Sequence, residues 1–553
     1  MNWLISLRDQ LPLLLVLSPV VGFLVTLSAI KRDRETLRYL AALNVALTLL
    51  ILAVIAWQWE VEHRAELSSI RASISELVES GDLASSESAT YESMQKRRVD
   101  RLRGLLFVVD GINLWPALML IVVTGLVVWR AGESVAETSD GTQPGSMLGL
   151  VPLTLLFEAA ALAALTAYDV RALLTMLGIA AIAMSLLIGF GGGPDRRRLA
   201  ERFLVTQLAG CCLIACGLAM LTVDVAWMKI DGSPKLPLVR WDIGTLAFDI
   251  QYWGTRYDYS LHYANGVFPW TLFLMSLGFA VQFGLFPFHA VQVAAIGTMP
   301  RKVAALFLVG TLPLSAIGWF RFVLPLALDQ LAGMDWLILV PAVGGAIWGA
   351  IRAYGVGDPR QQAAYLLLSL FGVAVLGCYS FTRFGAIASW LMIQQLVAAS
   401  SAVLLMMTSP ERDRLQVCSF ANPISTGFSM RTVLLFLGVT ALGLMGSASI
   451  ILVELLRESF WLPFCIPLIG FVIARVVFLL LNRHQSATVT AALTVTGRRP
   501  MRPEMAVVLL AVMANGLPFL LIHQCEPEFA RAFRRFEPSS VEVAPADPAT
   551  DRQ

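Results

Sequence analysis

Long apolar stretches alternate with short polar segments along almost the whole chain. A helix needs roughly 20 apolar residues to cross a bilayer, and fourteen stretches come close to that length. They lie near 11–30, 39–57, 112–130, 147–166, 171–190, 203–224, 266–288, 303–325, 334–352, 362–380, 384–407, 432–453, 460–481 and 505–523. This pattern predicts an all-α polytopic membrane protein with about fourteen transmembrane helices.

The stretch Phe279–Leu326 carries the clearest signs of an interrupted helix. Pro287 lies near the end of one apolar span, and Pro313 lies in the middle of the next. A proline inside a membrane helix removes a hydrogen bond, which is tolerated where protein or water satisfies the freed carbonyl. Because transporters place polar groups at such breaks, we expect a polar pathway, or the remains of one, in this stretch.

Composition supports a membrane protein and argues against other classes. Of the 553 residues, 57% are hydrophobic and only 14% are charged, whereas soluble domains carry about 25% charged residues. The run Gly191–Gly193 follows no predicted strand and is not a nucleotide-binding loop. The seven cysteines lack metal-binding spacing, so we predict no cofactor and no metal site, and the charge pattern indicates no nucleic-acid partner.

Arginine and lysine are concentrated in one set of the short segments between the apolar spans, while the long loop 58–103 also holds seven of them but more acidic residues. Lys31–Arg38 and Arg196–Arg202 are rich in them, whereas 326–333 has none. By the positive-inside rule the basic segments face the cytoplasm. We therefore expect a multi-pass protein of the cell (inner) membrane with both termini extracytoplasmic, and an uncleaved first helix, since no small-residue cleavage site follows it.

Polar segments divide the chain into five regions. These are N-terminal transmembrane helices (1–57), a polar extracytoplasmic loop (58–103), a transmembrane core (104–481), a loop with the last helix (482–523) and a polar tail (524–553). The loop is rich in Ser and Glu, which is typical of solvated segments. It is either a docking surface for a partner or a solvated insertion.

Two acidic residues lie in or directly beside apolar spans, and a charge costs roughly 2.5–3.5 kcal/mol at the bilayer centre. Glu158 lies in the middle of 147–166. It is either a buried proton carrier or a structural carboxylate, for example one paired with Arg171. Glu454 directly follows the last residue of the span 432–453 and is either a carboxylate in the middle of the membrane or an ordinary interfacial one.

Neutral amides and one histidine complete the set of candidate site residues. Gln282 lies five residues before Pro287, and Gln394 and Gln395 lie inside 384–407. Amides can orient water but hold no net proton at neutral pH, and hydrogen bonding between helices is their simpler role. His289 directly follows the proline break; it is either a proton relay or a helix cap.

Several motifs occur in an order that resembles a known family. They are Asp110-Gly111, Phe203–Gln207, Phe279–Gln282, Pro287–His289, Thr298–Pro300, Gly318–Phe322 and Asp358–Arg360 with Ala364-Tyr365. Together they resemble the antiporter-like membrane subunits of respiratory complex I, closest to the fourteen-helix chain-M type, and the related cation/proton antiporter subunits. The resemblance covers most of residues 10–480 and implies an antiporter-like fold with inverted repeats and broken helices.

The resemblance also implies a proton path through titratable side chains, from which this chain departs. Gln282 stands where the family has a lysine, Gln394 lies at or near a histidine position, and Glu454 matches a family acid after a one-residue slip. Other positions have lost the titratable group: Gly178, Leu312, Pro313 and Leu370. Because such side chains cannot carry a proton, we expect standard pumping to be impaired, or rerouted through Glu158.

The function implied by the resemblance is that of a membrane subunit in a complex I-like, NADH:quinone oxidoreductase-type assembly that moves protons or sodium ions. Its partners would be other membrane subunits and the lipid bilayer, with redox and nucleotide sites on other chains. Two alternatives stay open. One is a subunit of a cation/proton antiporter or of an ion-coupled inorganic-carbon uptake system, and the other is a non-conducting scaffold.

Overall fold

The structure is a computed structural model, and it describes residues 2–29, 34–80, 105–131, 145–191, 196–227, 268–324, 334–356, 359–406 and 447–455. The helices are α1 (Asn2–Ser28), α2 (Arg34–Ser80), α3 (Leu114–Ala131), α4 (Gly145–Thr166), α5 (Val170–Gly191), α6 (Arg196–Trp227), α7 (Phe268–Phe283), α8 (Ala290–Thr298), α9 (Arg301–Gly318), α10 (Trp336–Gly355), α11 (Pro359–Tyr379), α12 (Arg383–Met406) and α13 (447–455). A π-helical turn, Trp319–Val323, continues α9. An isolated β-bridge joins Phe107 to Ala167.

The predicted all-α membrane fold is confirmed. A helix occupies most of each of the first eleven predicted spans. By length and composition, nine helices in the described ranges are suited to cross a membrane, and two more are apolar but shorter. The spans 460–481 and 505–523, and nearly all of 432–453, lie outside the described residues, so the total of fourteen stays a prediction.

Helix α2 continues beyond its apolar part. The predicted span ends at residue 57, whereas the helix runs on to Ser80, which places a helical segment in the first half of the polar region 58–103. The remainder of that region and the tail 524–553 lie outside the described residues.

Helix α9 forms the centre of the described helices. It packs against α3, α4, α5, α7 and α12, and its side chains from Val303 to Gly318 are all buried. The helix continues through Pro313 without a break and widens into the π-helical turn that carries Arg321. The interruption expected in Phe279–Leu326 is therefore confined to its first part, between α7 and α8.

Helices α6 and α7 approach each other closely through glycines. A Cβ atom added at Gly210 would lie 2.9 Å from the carbonyl oxygen of Gly278, and one added at Gly217 would lie 2.9 Å from that of Thr271. Small residues let membrane helices pack with their backbones in contact. This contact brings the side chains of α6 against the end of α7, where that helix breaks.

Candidate functional site: a broken helix closed by glutamines

The break between α7 and α8 begins at Gly284. Its φ of +73° lies in the left-handed region that glycine adopts at little cost. The backbone N–H groups of Gly284 and Leu285 both donate to the carbonyl of Ala280, each at 3.0 Å. This tight turn ends α7, and Pro287, which has no N–H, follows before α8 starts at Ala290.

Two glutamines from other helical segments satisfy the backbone at this break. The carbonyl of Gln282 accepts hydrogen bonds from Gln207 Nε2 on α6 at 3.1 Å and from Gln292 Nε2 on α8 at 3.3 Å. All three side chains are buried. A freed carbonyl inside a membrane protein must find such a partner. Gln207, Gln282 and Gln292, here called the glutamine cluster, thus stabilise the interruption.

The side chain of Gln282 adds a contact between helices. Its Nε2 lies 3.0 Å from Cys211 Sγ on α6, which agrees with the simpler of its two predicted roles. In the part of the chain that the structure describes, Gln282 Oε1 and Gln292 Oε1 are buried and have no hydrogen-bond partner. Neutral amides with unused acceptors can orient water, but they cannot carry a net charge at neutral pH.

His289 occupies the N-cap position of α8 but makes no side-chain capping hydrogen bond. Its ring instead stacks on Phe286, with centroids 5.7 Å apart, and meets the edge of Tyr365 at 6.4 Å. The capping role considered for this histidine is therefore wrong. His289 belongs to an aromatic cluster on the half-exposed side of the break, whereas the glutamine cluster lies on its buried side.

Glu158 lies within α4 and is completely buried. Neither carboxylate oxygen has a hydrogen-bond partner among the described residues. The predicted alternative, a pair with Arg171, is wrong, because Arg171 binds Asp169 at 2.8 Å instead. A buried carboxyl without a partner is costly in its charged form, so this position fits a neutral acid or one that exchanges a proton.

Buried polar groups recur on the helices that pack against α4. Helices α3, α4 and α9 pack against one another. Thr124 on α3 and Thr311 on α9, like Glu158 on α4, have buried side-chain oxygens without a hydrogen-bond partner in the described ranges. Such groups concentrate where water or protons are handled in membrane proteins. The sequence offered no signal for the two threonines, since threonine is common in membrane helices.

Three further polar residues that the sequence singled out lie in the second half of the chain: Gln394, Gln395 and Glu454. Gln395 Oε1 accepts a hydrogen bond from Ser447 Oγ at 2.9 Å, which joins α12 to α13. Gln394 is buried, and its Nε2 has no partner within the described residues. Glu454 is only 5% exposed, and its depth in the membrane stays a prediction.

Residues without a titratable group stand at the positions for which the resemblance implies one. Gly178 lies in α5, and a Cβ added there would have open space around it. Leu312 and Pro313 lie inside α9, and Leu370 lies in α11. The structure thus puts these residues within helices, and each of them lacks a group that could exchange a proton.

A buried ion pair, which the sequence did not predict, joins Asp110 to Arg321 in the π-helical turn after α9. Arg321 Nη2 lies 2.5 Å from Asp110 Oδ2. Asn113 Nδ2 donates to the carbonyls of Val108 and Leu165, at 2.8 and 3.1 Å. Both charged residues stand in the motifs quoted above, but nothing in the sequence pairs them. The cluster fixes the segment before α3 against the ends of α4 and α9.

Comparison with known proteins shows similarity to membrane subunits of quinone oxidoreductases. NADH-quinone oxidoreductase subunit M of Mycobacterium tuberculosis is 28% identical over 301 residues, which cover 54% of this chain and 50% of the relative. NAD(P)H-quinone oxidoreductase chain 4 3 of Picosynechococcus is 26% identical over 336 residues, covering 60% and 55%. The chain thus spans about half the length of these curated relatives. No family model matches it.

Similarity to solved structures extends over nearly the whole chain. A chain of respiratory complex I from Thermus thermophilus has a TM-score of 0.63 at 18% identity, covering 95% of this chain and 100% of that one. A chain of the Mrp complex from Dietzia sp. has a TM-score of 0.61 at 13% identity, covering 97% and 98%. An archaeal membrane-bound sulfane sulfur reductase gives 0.66 at 14% identity, covering 95% and 99%.

These findings confirm the predicted resemblance to antiporter-like membrane subunits. The similar structures share the fold, and the curated relatives are named as quinone oxidoreductase subunits of the M or chain 4 type. The chain is accordingly similar to membrane subunits of multi-subunit assemblies.

Proposed function

We propose that the chain is a membrane subunit of a complex I-like, NADH:quinone oxidoreductase-type assembly in which its own ion path is impaired or rerouted. The names of the curated relatives support the type of assembly. Its partners are then other membrane subunits, and redox and nucleotide chemistry resides on other chains. The basic loops support an orientation with both termini extracytoplasmic, and the five regions given above are its proposed organisation.

The observation that carries the proposal is the glutamine cluster. At the buried side of the break, where the family has a lysine, Gln282 directs its amide to Cys211 and offers its carbonyl to two further glutamines. A conducting site needs a group whose charge state changes with its neighbours. Neutral amides bonded to the backbone stabilise the break but supply no such group.

A rerouted path would depend on Glu158 and Glu454. Both carboxyls are buried. Glu158 lies in α4, which packs against α9. Glu454 lies in α13, which the hydrogen bond between Ser447 and Gln395 joins to α12. A protonated carboxyl can pass its proton to water and take up another, which glycine, leucine and proline at the other positions cannot do. If the path is lost altogether, the chain serves as a packing subunit between conducting neighbours.

The test uses the assembly purified with its native partners and reconstituted into vesicles. Glu158→Gln and Glu454→Gln are compared with Glu60→Gln, a surface glutamate that pairs with Arg64. A rerouted path predicts fewer protons moved per electron in one or both buried variants and no change in the surface variant. An unchanged ratio in both buried variants would rule out that path and leave the packing role.

A cation/proton antiporter subunit is the second candidate, and the similarity to a chain of the Mrp complex favours it. The composition of the purified native assembly separates the two functions. Co-purifying quinone-reductase or hydrogenase subunits would support the first function. A complex that lacks them and exchanges cations for protons in vesicles would support the second.

A further inference from the structure

Helix α10 exposes an apolar row that ends in aromatic side chains. The exposed residues of this row are Trp336, Val340, Ile347, Trp348, Ile351 and Tyr354. From Trp336 to Tyr354 a helix rises about 27 Å, close to the roughly 30 Å thickness of the hydrocarbon core. Trp and Tyr concentrate at the two membrane interfaces. The row is therefore long enough to span the hydrocarbon core and has aromatic side chains at both ends.

Arg352 lies at one end of this row, between two aromatic rings. Its guanidinium carbon is 5.8 Å from the ring centroid of Trp348 and 5.6 Å from that of Tyr365. The side chain is exposed, and no carboxylate in the described ranges forms an ion pair with it. Aromatic faces attract the cation and hold it in place, but they leave its hydrogen-bond donors unused.

A second basic side chain lies beside the same rings. His289 meets the edge of Tyr365 and stacks on Phe286, whose ring is 6.3 Å from that of Trp348. These five residues, Phe286, His289, Trp348, Arg352 and Tyr365, are here called the Arg352 cluster. They come from the α7–α8 break, from α10 and from α11, so the tertiary fold brings two basic side chains to the same group of rings.

We propose that the Arg352 cluster binds the phosphate of an anionic phospholipid. The planar guanidinium offers paired N–H groups that match phosphate oxygens, and the imidazole of His289 offers a further donor. Basic pockets between transmembrane helices on the cytoplasmic side are suited to anionic headgroups. The exposed row of α10 lies directly below Arg352 and can receive acyl chains, which favours a lipid over a soluble phosphate ion.

This assignment is independent of ion translocation. A lipid held by Arg352 and His289 would cover the half-exposed side of the α7–α8 break, whether the chain conducts ions or only packs between neighbours. If Glu158 and Glu454 prove not to carry protons, the lipid site is unaffected. If the lipid does not bind, the proposed proton path is equally unaffected.

The test is photo-crosslinking of the full-length chain, with its native partners, in nanodiscs of phosphatidylcholine that contain photoactivatable phosphatidylglycerol. We expect crosslinks in the peptides that carry His289 and Arg352. Loss of one basic group near the surface is worth about 1 kcal/mol, so Arg352→Gln should weaken them about fivefold. Arg352→Lys keeps the charge but not the paired N–H groups, so it should retain more of the crosslinks than Arg352→Gln and fewer than the wild type. The control Arg171→Gln, at an arginine already paired with Asp169, should change nothing.

Three results would overturn the proposal. One is undiminished crosslinking at these peptides in Arg352→Gln, and another is equal crosslinking by photoactivatable phosphatidylcholine. The third is loss of the crosslinks when inorganic phosphate is added, which would assign the site to a soluble anion. If Arg352→Gln does not fold, as judged by thermal unfolding, His289→Gln replaces it, and undiminished crosslinking in that variant would also refute the proposal.

Discussion

Arg321 and Asp110 form a buried ion pair between residues 211 positions apart, with 2.5 Å between Nη2 and Oδ2. Both side chains are less than a tenth exposed. Removing one partner would leave an uncompensated charge in the protein, which costs roughly 3–5 kcal/mol. We expect Asp110→Asn and Arg321→Gln each to lower the free energy of unfolding by about that amount, measured by denaturant unfolding in detergent micelles.

The double variant tests whether the two residues act as a pair. Because neither charge remains, Asp110→Asn with Arg321→Gln should be destabilised by less than the sum of the single variants. Additive losses would show that the two side chains contribute separately, through contacts other than their ion pair.

Gln292 and Gln394 are buried glutamines with different bonding. Gln292 donates to the carbonyl of Gln282 at the helix break, whereas Gln394 Nε2 has no partner in the described ranges. Removing a donor from a buried carbonyl costs about 1–3 kcal/mol. The carbonyl of Gln282 would keep only its hydrogen bond from Gln207. We expect Gln292→Leu to lower the thermal stability more than the matched control Gln394→Leu. Equal effects would mean that the glutamine cluster does not stabilise the break.

Gly284 and Gly178 respond oppositely to an added methyl group. At Gly284 the φ of +73° disfavours other residues, and a Cβ would lie 2.1 Å from Gln292 Cδ. Gly284→Ala should therefore destabilise by about 1–2 kcal/mol from the backbone alone. Gly178 lies in a helix with open space at its Cβ, so Gly178→Ala should stabilise by about 0.5–1 kcal/mol. Unfolding of both variants under one condition checks the contrast.

Asp169, between α4 and α5, should make the free energy of unfolding fall as the solution becomes acidic. Partial burial by itself raises the pKa of its carboxyl. Hydrogen bonds from the Arg171 side chain and from the backbone N–H groups of Ala172 and Arg171 outweigh this effect, and the pKa lies below its usual value. The unfolded value is about 3.9, so the ionised group stabilises the fold above about pH 4 and loses this effect as the pH falls further.

The variant Asp169→Asn should lack this part of the acid response. Thermal unfolding of wild type and variant, compared between about pH 6 and pH 3, should show a smaller loss of stability for the variant at the acid end. If the two proteins lose stability in parallel, the Asp169–Arg171 pair contributes nothing to the pH dependence.

The sequence predicted the described helices and several residues of the site. Bilayer thickness acts on each apolar segment separately, so segment length alone indicates a helix. Glu158 and Gln282 are visible because a polar residue inside an apolar run is costly and rare. Pro287 marks the interruption for an equally local reason, since it lacks the N–H that a continuous helix needs.

Only the tertiary structure decided which partners these residues bind. The partners of Gln282 lie on α6 and α8, the partner of Arg321 precedes α3, and Arg171 turns to Asp169 rather than to Glu158. Each of these pairings depends on which helices are neighbours and which faces they present. A local pattern of apolar and polar residues reports membrane crossing, but it does not specify contacts between distant segments.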